Sequence, residues 1–194
     1  MRLISSAVLA LLVFVFSPGA QAVPMFFIAD MDGASENPPN DSLGTGSVRV
    51  EFDIVAHTMR VQVSFSGLTG TTTAAHIHCC VAPPGNVGVA SQTPSFEGFP
   101  LGVTSGTYDN LFDLTQASSF NAAFIAANGG TEAGAEAALL AGLQAGTAYF
   151  NVHTTFAAGG EIRGFLQQVA EPASLGLFGL GLAGLALLRR RRAG

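Results

Sequence analysis

Residues 48–65 read VRVEFDIVAHTMRVQVSF, and this stretch gives the clearest indication of the fold. Apolar side chains alternate with charged or polar ones on both sides of a short break at residues 56–58. Successive side chains of a β-strand point to opposite faces, so each half of the stretch has one apolar face and one polar face. The pattern predicts two amphipathic strands joined by a tight turn, an antiparallel hairpin that buries one face and wets the other.

The flanking sequence adds further strands and one helical insertion. Strand-like patterns occur at residues 25–31, 74–80, 102–114, 147–154 and 161–168. Between residues 117 and 145 alanine and leucine are frequent and proline is absent, which predicts two short helices separated by Gly129-Gly130. We therefore expect a mainly β protein, an antiparallel β-sandwich or barrel with a short helical insertion at about residues 117–145.

The first 22 residues have the organisation of a secretory signal peptide. Arg2 precedes an apolar run at residues 7–16, which is shorter than the ~20 residues that a membrane-spanning helix needs. Signal peptidase requires small side chains at the first and third positions before the cut, and Ala22 and Ala20 supply them. The expected mature chain begins at Val23.

Residues 171–194 also have a three-part organisation. Glu171-Pro172 precedes an uncharged apolar span at residues 173–188, and the span ends in the cluster Arg189, Arg190, Arg191 and Arg192. Such a span predicts a transmembrane helix whose arginines stay on the cytoplasmic side.

This arrangement resembles the PEP-CTERM sorting signal of Gram-negative bacteria, whose usual Pro-Glu-Pro core reads Ala170-Glu171-Pro172 here. The resemblance implies an exported protein that is held by its C-terminal helix in the inner membrane until an exosortase-type sorting protease processes it. A permanent single-span anchor would give the same topology.

Between the two ends, residues 23–170 have the length of one domain. They carry three arginines, no lysine and twelve carboxylates, a net charge of −9. Nucleic acid is excluded as a partner, because almost no cations are present to neutralise phosphates. The domain has neither a Gly-x-Ser-x-Gly nucleophile motif nor a phosphate-binding glycine loop, and we expect no enzymatic activity.

A set of short motifs runs through this domain. They are GASENPP at residues 33–39, FSGL at 65–68, AHIH at 75–78, YFNVHT at 149–154 and GGEIRG at 159–164. Together they resemble the CHRD (chordin-like) family, a module of secreted proteins. The resemblance implies an immunoglobulin-like β fold on an exported protein, and it implies no particular biochemical activity.

Three histidines form the one candidate site with a chemical rationale. His76 and His78 are two residues apart, so both imidazoles leave the same face of a strand. His153 lies on a different predicted strand, and if the two strands are near each other the three rings can converge on a copper or zinc ion. The alternative is a structural role, in which the imidazoles bond to backbone groups.

The only two cysteines, Cys79 and Cys80, are adjacent in the sequence. Neighbouring Cα atoms are closer together than the ~4.4–6.8 Å usual for a disulfide. A strained disulfide between neighbours, two free thiols and thiolate ligation of a metal are all compatible with this pattern.

These observations predict an exported, non-enzymatic cell-surface or extracellular-matrix protein that contacts extracellular polysaccharide or a protein matrix. One alternative is an extracellular copper- or zinc-binding protein that uses the three histidines. Another is a binding module for an extracellular protein or glycan. That module would use the loop at residues 83–100 and would expose an aromatic patch around Phe96 and Phe99.

Overall fold

The computed structural model describes residues 24–169, which form eight strands and two helices. The strands are β1 (Met25–Asp32), β2 (Thr45–Asp53), β3 (Thr58–Ser66), β4 (Thr72–His78), β5 (Gly106–Asp113), β6 (Tyr149–Thr154), β7 (Ile162–Phe165) and β8 (Gln167–Val169). The helices are α1 (Ala122–Ala127) and α2 (Glu132–Gln144), preceded by a 3₁₀ turn at Ala117–Ser119.

Both predicted targeting segments lie outside the described residues. These are the signal peptide with Ala20, Ala22 and Val23, and the C-terminal segment with Glu171, Pro172, the apolar span 173–188 and Arg189, Arg190, Arg191 and Arg192. Among residues 24–169, no helix combines the length and the apolar character needed to cross a membrane.

The hairpin predicted from residues 48–65 is present and is formed by β2 and β3. Its apolar residues face one another across the strands and are buried: Val48 with Val63, Val50 with Val61 and Phe52 with Met59. In the turn, the Asp53 carboxylate accepts hydrogen bonds from the backbone N–H groups of Val55 and Ala56. The alternation of the sequence therefore fixes the register of this hairpin, as expected for strands with one buried face.

The eight strands form one antiparallel sheet with the order β4-β6-β7-β1-β2-β3-β5, and β8 also pairs with β1. The ring of Phe96, in the loop after β4, lies 5.0 Å from that of Phe112 on β5 and 5.8 Å from that of Phe150 on β6. Since β5 is one edge of the sheet and β6 lies next to the other, the sheet curls around its core as a half-barrel.

The mainly β, antiparallel prediction is confirmed, and where an immunoglobulin-like sandwich or barrel was expected the structure has a single sheet that curls as a half-barrel. The physical reason is the pairing of β1, which bonds to β2 on one side and to β7 and β8 on the other. Several strand boundaries also differ from prediction. The strand expected at residues 74–80 ends at His78, and the one expected at 161–168 is divided at the buried Leu166.

The predicted helical insertion is confirmed. Asn121 caps α1 by accepting a hydrogen bond from the backbone of Ala123, and Thr131 caps α2 by accepting one from Gly134. Such caps satisfy N–H groups that have no partner inside the helix. Helix α2 contributes Leu139, Leu140 and Leu143 to the core.

The loops that cover the polar face of the sheet are held by Arg163 of β7, which is fully buried. Its guanidinium lies over the ring of Tyr149, 4.9 Å from the centroid. Its N–H groups donate to the carbonyls of Ser35, Pro84 and Gly85 and to the side-chain oxygen of Asn86. A single buried cation thus fastens the loop after β1 and the loop after β4 to the same place on the sheet.

The turn between β6 and β7 is held by Glu161, which is also fully buried. Burial alone would raise the pKa of this carboxyl, but its hydrogen bonds outweigh burial and the pKa is lowered. The carboxylate accepts bonds from the hydroxyls of Ser42 and Thr154 and from the backbone N–H groups of Thr69 and Gly70. The turn at residues 155–160 is therefore anchored close to its base.

We predict that Phe96→Ala lowers the free energy of unfolding by about 3–5 kcal/mol, because it removes a buried ring that links the two sides of the curled sheet. Denaturant unfolding of the parent and variant measures the change. Leu101→Ala is the control: that side chain is 52% exposed, and the expected loss is below about 0.5 kcal/mol. A loss for Phe96→Ala no larger than for the control would contradict the role given to Phe96.

Candidate metal centre

The three candidate histidines lie together on the polar face of the sheet. His76 and His78 are on β4, and His153 is on its neighbour β6, where its Cα pairs with that of Ala74. The ring centroids lie 5.0 Å apart for His76 and His153, 5.7 Å for His78 and His153, and 5.8 Å for His76 and His78. One nitrogen of each ring lies within 4.8 Å of the corresponding nitrogens of the other two.

Each imidazole is oriented by a hydrogen bond to a backbone carbonyl. His76 Nε2 lies 2.7 Å from the oxygen of Pro94, His78 Nδ1 lies 2.8 Å from that of Val87, and His153 Nδ1 lies 2.9 Å from that of Ala158. A carbonyl oxygen can only accept, so each of these ring nitrogens carries the proton. The bonds therefore fix the tautomer of all three rings and leave the second nitrogen of each with a free lone pair.

Those second nitrogens are buried and have no hydrogen-bond partner. They are His76 Nδ1, His78 Nε2 and His153 Nε2. Burial lowers the pKa of His76 and of His78 to about 4, and it also lowers the pKa of His153. At neutral pH the cluster is therefore uncharged and offers three lone pairs, the form in which imidazole binds a metal.

The chemistry of this donor set fits a transition metal. Imidazole nitrogen suits zinc and copper, whereas calcium and magnesium prefer oxygen ligands. A backbone carbonyl on the second nitrogen of a histidine is a common outer-shell partner at metal sites, where it orients the ring. Three protein ligands are also the number found at zinc sites that keep one position open.

The motifs that contain these histidines lie within a recognised domain. A model of the CHRD domain matches residues 27–166. The chain belongs to the CHRD domain family. A model of the PEP-CTERM protein-sorting motif matches residues 168–192, which indicates export through exosortase sorting to the cell envelope or surface. No curated protein and no solved structure was found to be similar to this chain.

The polar face of the CHRD domain contains two more unusual residues, Glu36 and Asn151, which the sequence analysis did not single out as site residues. Asn151 is directly opposite His76 in the β4–β6 pairing, and its side-chain amide donates to Glu36 Oε2 at 3.4 Å. Glu36 Oε1 and Asn151 Oδ1 are buried without a partner. The alternation of β6, which puts Asn151 on the same face as His153, was the signal that could have placed Asn151 here.

Within residues 24–169, every buried side-chain nitrogen or oxygen that lacks a partner belongs to this face: three are on the histidines, and the other two are on Glu36 and Asn151. Burial raises the pKa of Glu36 to about 7, although Arg163, 3.8 Å away, acts in the opposite direction. Glu36 is not one of the residues whose ligand atoms cluster within 4.8 Å. It is therefore a neighbour of the histidine cluster and not one of its ligands.

The two cysteines do not contribute thiolates to this cluster, because Cys79 and Cys80 form a disulfide with each other. Of the three states compatible with the sequence, the structure has the disulfide between neighbours. Cys79 belongs to the hydrophobic core, whereas His78 points to the polar face. The candidate ligands are thus the imidazoles alone.

The pKa shifts at this face make the folding stability of the metal-free domain depend on pH in a way that can be tested. Between pH 4 and 6.5 the unfolded chain binds more protons at His76 and His78 than the folded chain, so their contribution to stability is lost on acidification. Glu36 has the opposite sign, because the folded chain holds its proton more tightly between pH 4.5 and about 7.

We predict that Glu36→Gln removes this opposing contribution. The stability of the variant relative to the parent should therefore increase as pH rises from 4.5 to 7, by up to about 3 kcal/mol. Urea unfolding in the presence of a chelator, at several pH values, measures the difference. Glu97→Gln, at an exposed position, is the control and should run parallel to the parent. If the difference in free energy of unfolding between Glu36→Gln and the parent did not change with pH, the raised pKa of Glu36 would not contribute to stability as stated.

Proposed function

We propose that this protein is an exported, non-enzymatic cell-surface or extracellular-matrix protein whose CHRD domain binds copper or zinc through His76, His78 and His153. The observation that carries the proposal is that three imidazoles each bring one nitrogen within 4.8 Å of the others, and that each ring also has one buried nitrogen without a partner. Export through exosortase sorting follows from the PEP-CTERM motif.

The energetics of the cluster favour an occupant over a purely structural role. The structural alternative explains one nitrogen of each ring, because each ring bonds to a backbone carbonyl. It leaves the second nitrogen of each ring unexplained, and a buried polar atom without a partner costs about 1–3 kcal/mol. A metal ion would satisfy all three nitrogens at once, and it would do so with rings that are already neutral and oriented.

The export route places this centre outside the cytoplasm. In this proposal residues 1–22 are removed as a signal peptide and residues 23–170 form the exported domain. Residues 171–194 hold it in the inner membrane of a Gram-negative bacterium, through the span 173–188, until an exosortase-type protease acts near Glu171-Pro172. The protein then reaches the cell surface or the extracellular polysaccharide or protein matrix.

The binding-module alternative loses its main support. It predicted an exposed aromatic patch around Phe96 and Phe99, but these side chains are only 2% and 5% exposed. They are core residues because both rings pack against Phe150 of β6, at centroid distances of 5.8 and 6.5 Å. A glycan or protein that stacks on aromatic rings would not find them at the surface.

We predict that the exported protein binds about one equivalent of zinc or copper. Replacement of His76, His78 or His153 by alanine should weaken binding at least about tenfold, because each removes one of three ligands. Metal analysis after loading and dialysis measures the stoichiometry, and a competing chromogenic chelator measures the affinity. Metal at 100 times the dissociation constant should also stabilise the parent against unfolding by about 2.7 kcal/mol.

His57→Gln is the matched control for these variants. His57 is the only other histidine in the chain, and its Nδ1 lies 2.8 Å from Glu136 on α2, away from the cluster. This variant should bind metal as the parent does. If the parent binds neither ion after loading with both, the proposed metal site is wrong and a structural surface protein remains.

The sorting part of the proposal predicts the mass of the mature protein. In a host with its own exosortase system, the envelope form should end near Glu171-Pro172 and lack the arginine cluster. Replacement of Glu171 and Pro172 by alanine should leave the tail in place, because it removes the two residues that match the Pro-Glu-Pro core of the sorting signal. Intact mass spectrometry of the envelope fraction distinguishes the two, with Glu97→Ala as a control. A parent that retains the arginine cluster would contradict cleavage at this site, and a tail variant that loses the cluster would contradict the role of Glu171 and Pro172.

A further inference from the structure

The Cys79–Cys80 disulfide follows His78 directly, at the point where β4 ends. The backbone N–H of Cys79 donates to the carbonyl of Gly88, and His78 forms an isolated β-bridge with Val89. On the other side, the N–H of Val81 donates to Thr147, just before β6. The disulfide therefore lies where β4, the strand that carries His76 and His78, meets the loop that follows it.

That loop supplies two of the three carbonyls that orient the imidazoles. Val87 accepts the bond from His78 and Pro94 accepts the bond from His76. The loop is also bonded along the edge of β4, through the N–H groups of Ala90 and Ser91 to Ile77. A movement of the chain at residues 79–80 would therefore shift His78, and it would also shift the loop carbonyls that orient His78 and His76.

Helix α2 packs directly against the disulfide. Gly142 of α2 faces the disulfide, and a Cβ atom at this position would overlap both sulfur atoms. Two separate thiols need more space than a disulfide, because each sulfur regains its own van der Waals radius and a hydrogen. Opening the disulfide against the backbone of α2 must therefore displace residues 79–80 or the helix.

The two cysteine residues differ in exposure. Cys80 is exposed, whereas Cys79 is only 4% exposed. An attacking thiolate would therefore form a mixed disulfide with Cys80, and Cys79 would leave as a thiolate and take up a proton. The second thiol of a dithiol reagent then releases Cys80, so that one protein disulfide is reduced to two thiols and one dithiol is oxidised to its disulfide.

We propose that Cys79–Cys80 is a thiol–disulfide exchange site, and that its reduction by a dithiol of the extracytoplasmic space weakens metal binding at the adjacent histidine cluster. The second half of this proposal rests on the proposed function. Reduction loosens the junction between β4 and the loop at residues 81–96, so the imidazoles of His76 and His78 lose the carbonyls that orient them. Loss of such outer-shell partners typically weakens metal binding about 10–100-fold.

The test uses the exported protein, isolated from the cell envelope in detergent, as purified and after treatment with dithiothreitol that is then removed without air. Mass spectrometry should find a trapped adduct on Cys80 at an early time and two free thiols at the end. Zinc titration against a chromogenic chelator should give at least about tenfold weaker binding for the reduced form. Hydrogen exchange of residues 77–91 without metal should be faster in the reduced form than in the oxidised one.

The Cys79→Ser, Cys80→Ser variant is the matched control. It should bind zinc as weakly as the reduced parent and should not respond to dithiothreitol. Equal or tighter zinc binding by the reduced parent would overturn the proposal. If neither form binds zinc, the proposed function fails, and hydrogen exchange then decides: faster exchange of residues 77–91 after reduction supports the exchange site as a control of the loop, and unchanged exchange overturns it.

Discussion

The guanidinium of Arg163 holds the long loops of the CHRD domain against the polar face of the sheet, and the candidate metal centre depends on it. This fully buried cation satisfies the carbonyls of Ser35, Pro84 and Gly85, which would otherwise be desolvated without partners. A buried charge is tolerable only when it is bonded in this way. Because the loop after β4 is held here, Val87 and Pro94 lie where they can orient His78 and His76.

The two faces of the sheet therefore differ in how they are buried. The concave face is closed by apolar side chains such as Phe52, Phe96 and Phe150, whose burial needs no directional partners. Over β4, β6 and β7 the opposite face is covered by loops and is polar, so nearly every group on it has a specific partner. The exceptions are the histidine nitrogens with Glu36 and Asn151, and this concentration of unpartnered atoms is the feature that the proposed metal site would explain.

Export from the cytoplasm is consistent with the disulfide and with the acidic charge of the domain. A disulfide at Cys79–Cys80 belongs in an oxidising compartment, and the PEP-CTERM motif directs the chain out of the cytoplasm. The acidic surface, without any lysine, attracts cations and repels nucleic acid and anionic membranes. In the proposed function, a neutral three-histidine cluster on such a domain binds a metal ion without contributing further charge itself.

Most features that depend on neighbours along the chain could be predicted from the sequence, although some strand ends and the state of the adjacent cysteines could not. Alternation predicted the hairpin of β2 and β3, composition predicted α1 and α2, and a two-residue spacing put His76 and His78 on one face. Contacts between distant segments required the tertiary structure: β1 pairs with β7 and β8, which joins all the strands in one curled sheet. The pairing of β4 with β6 brings His153 to the other histidines, and Glu36 reaches Asn151 across more than a hundred residues. Periodicity records which face a side chain takes, but strand order and loop placement follow from packing and from buried hydrogen bonds, which no local pattern contains.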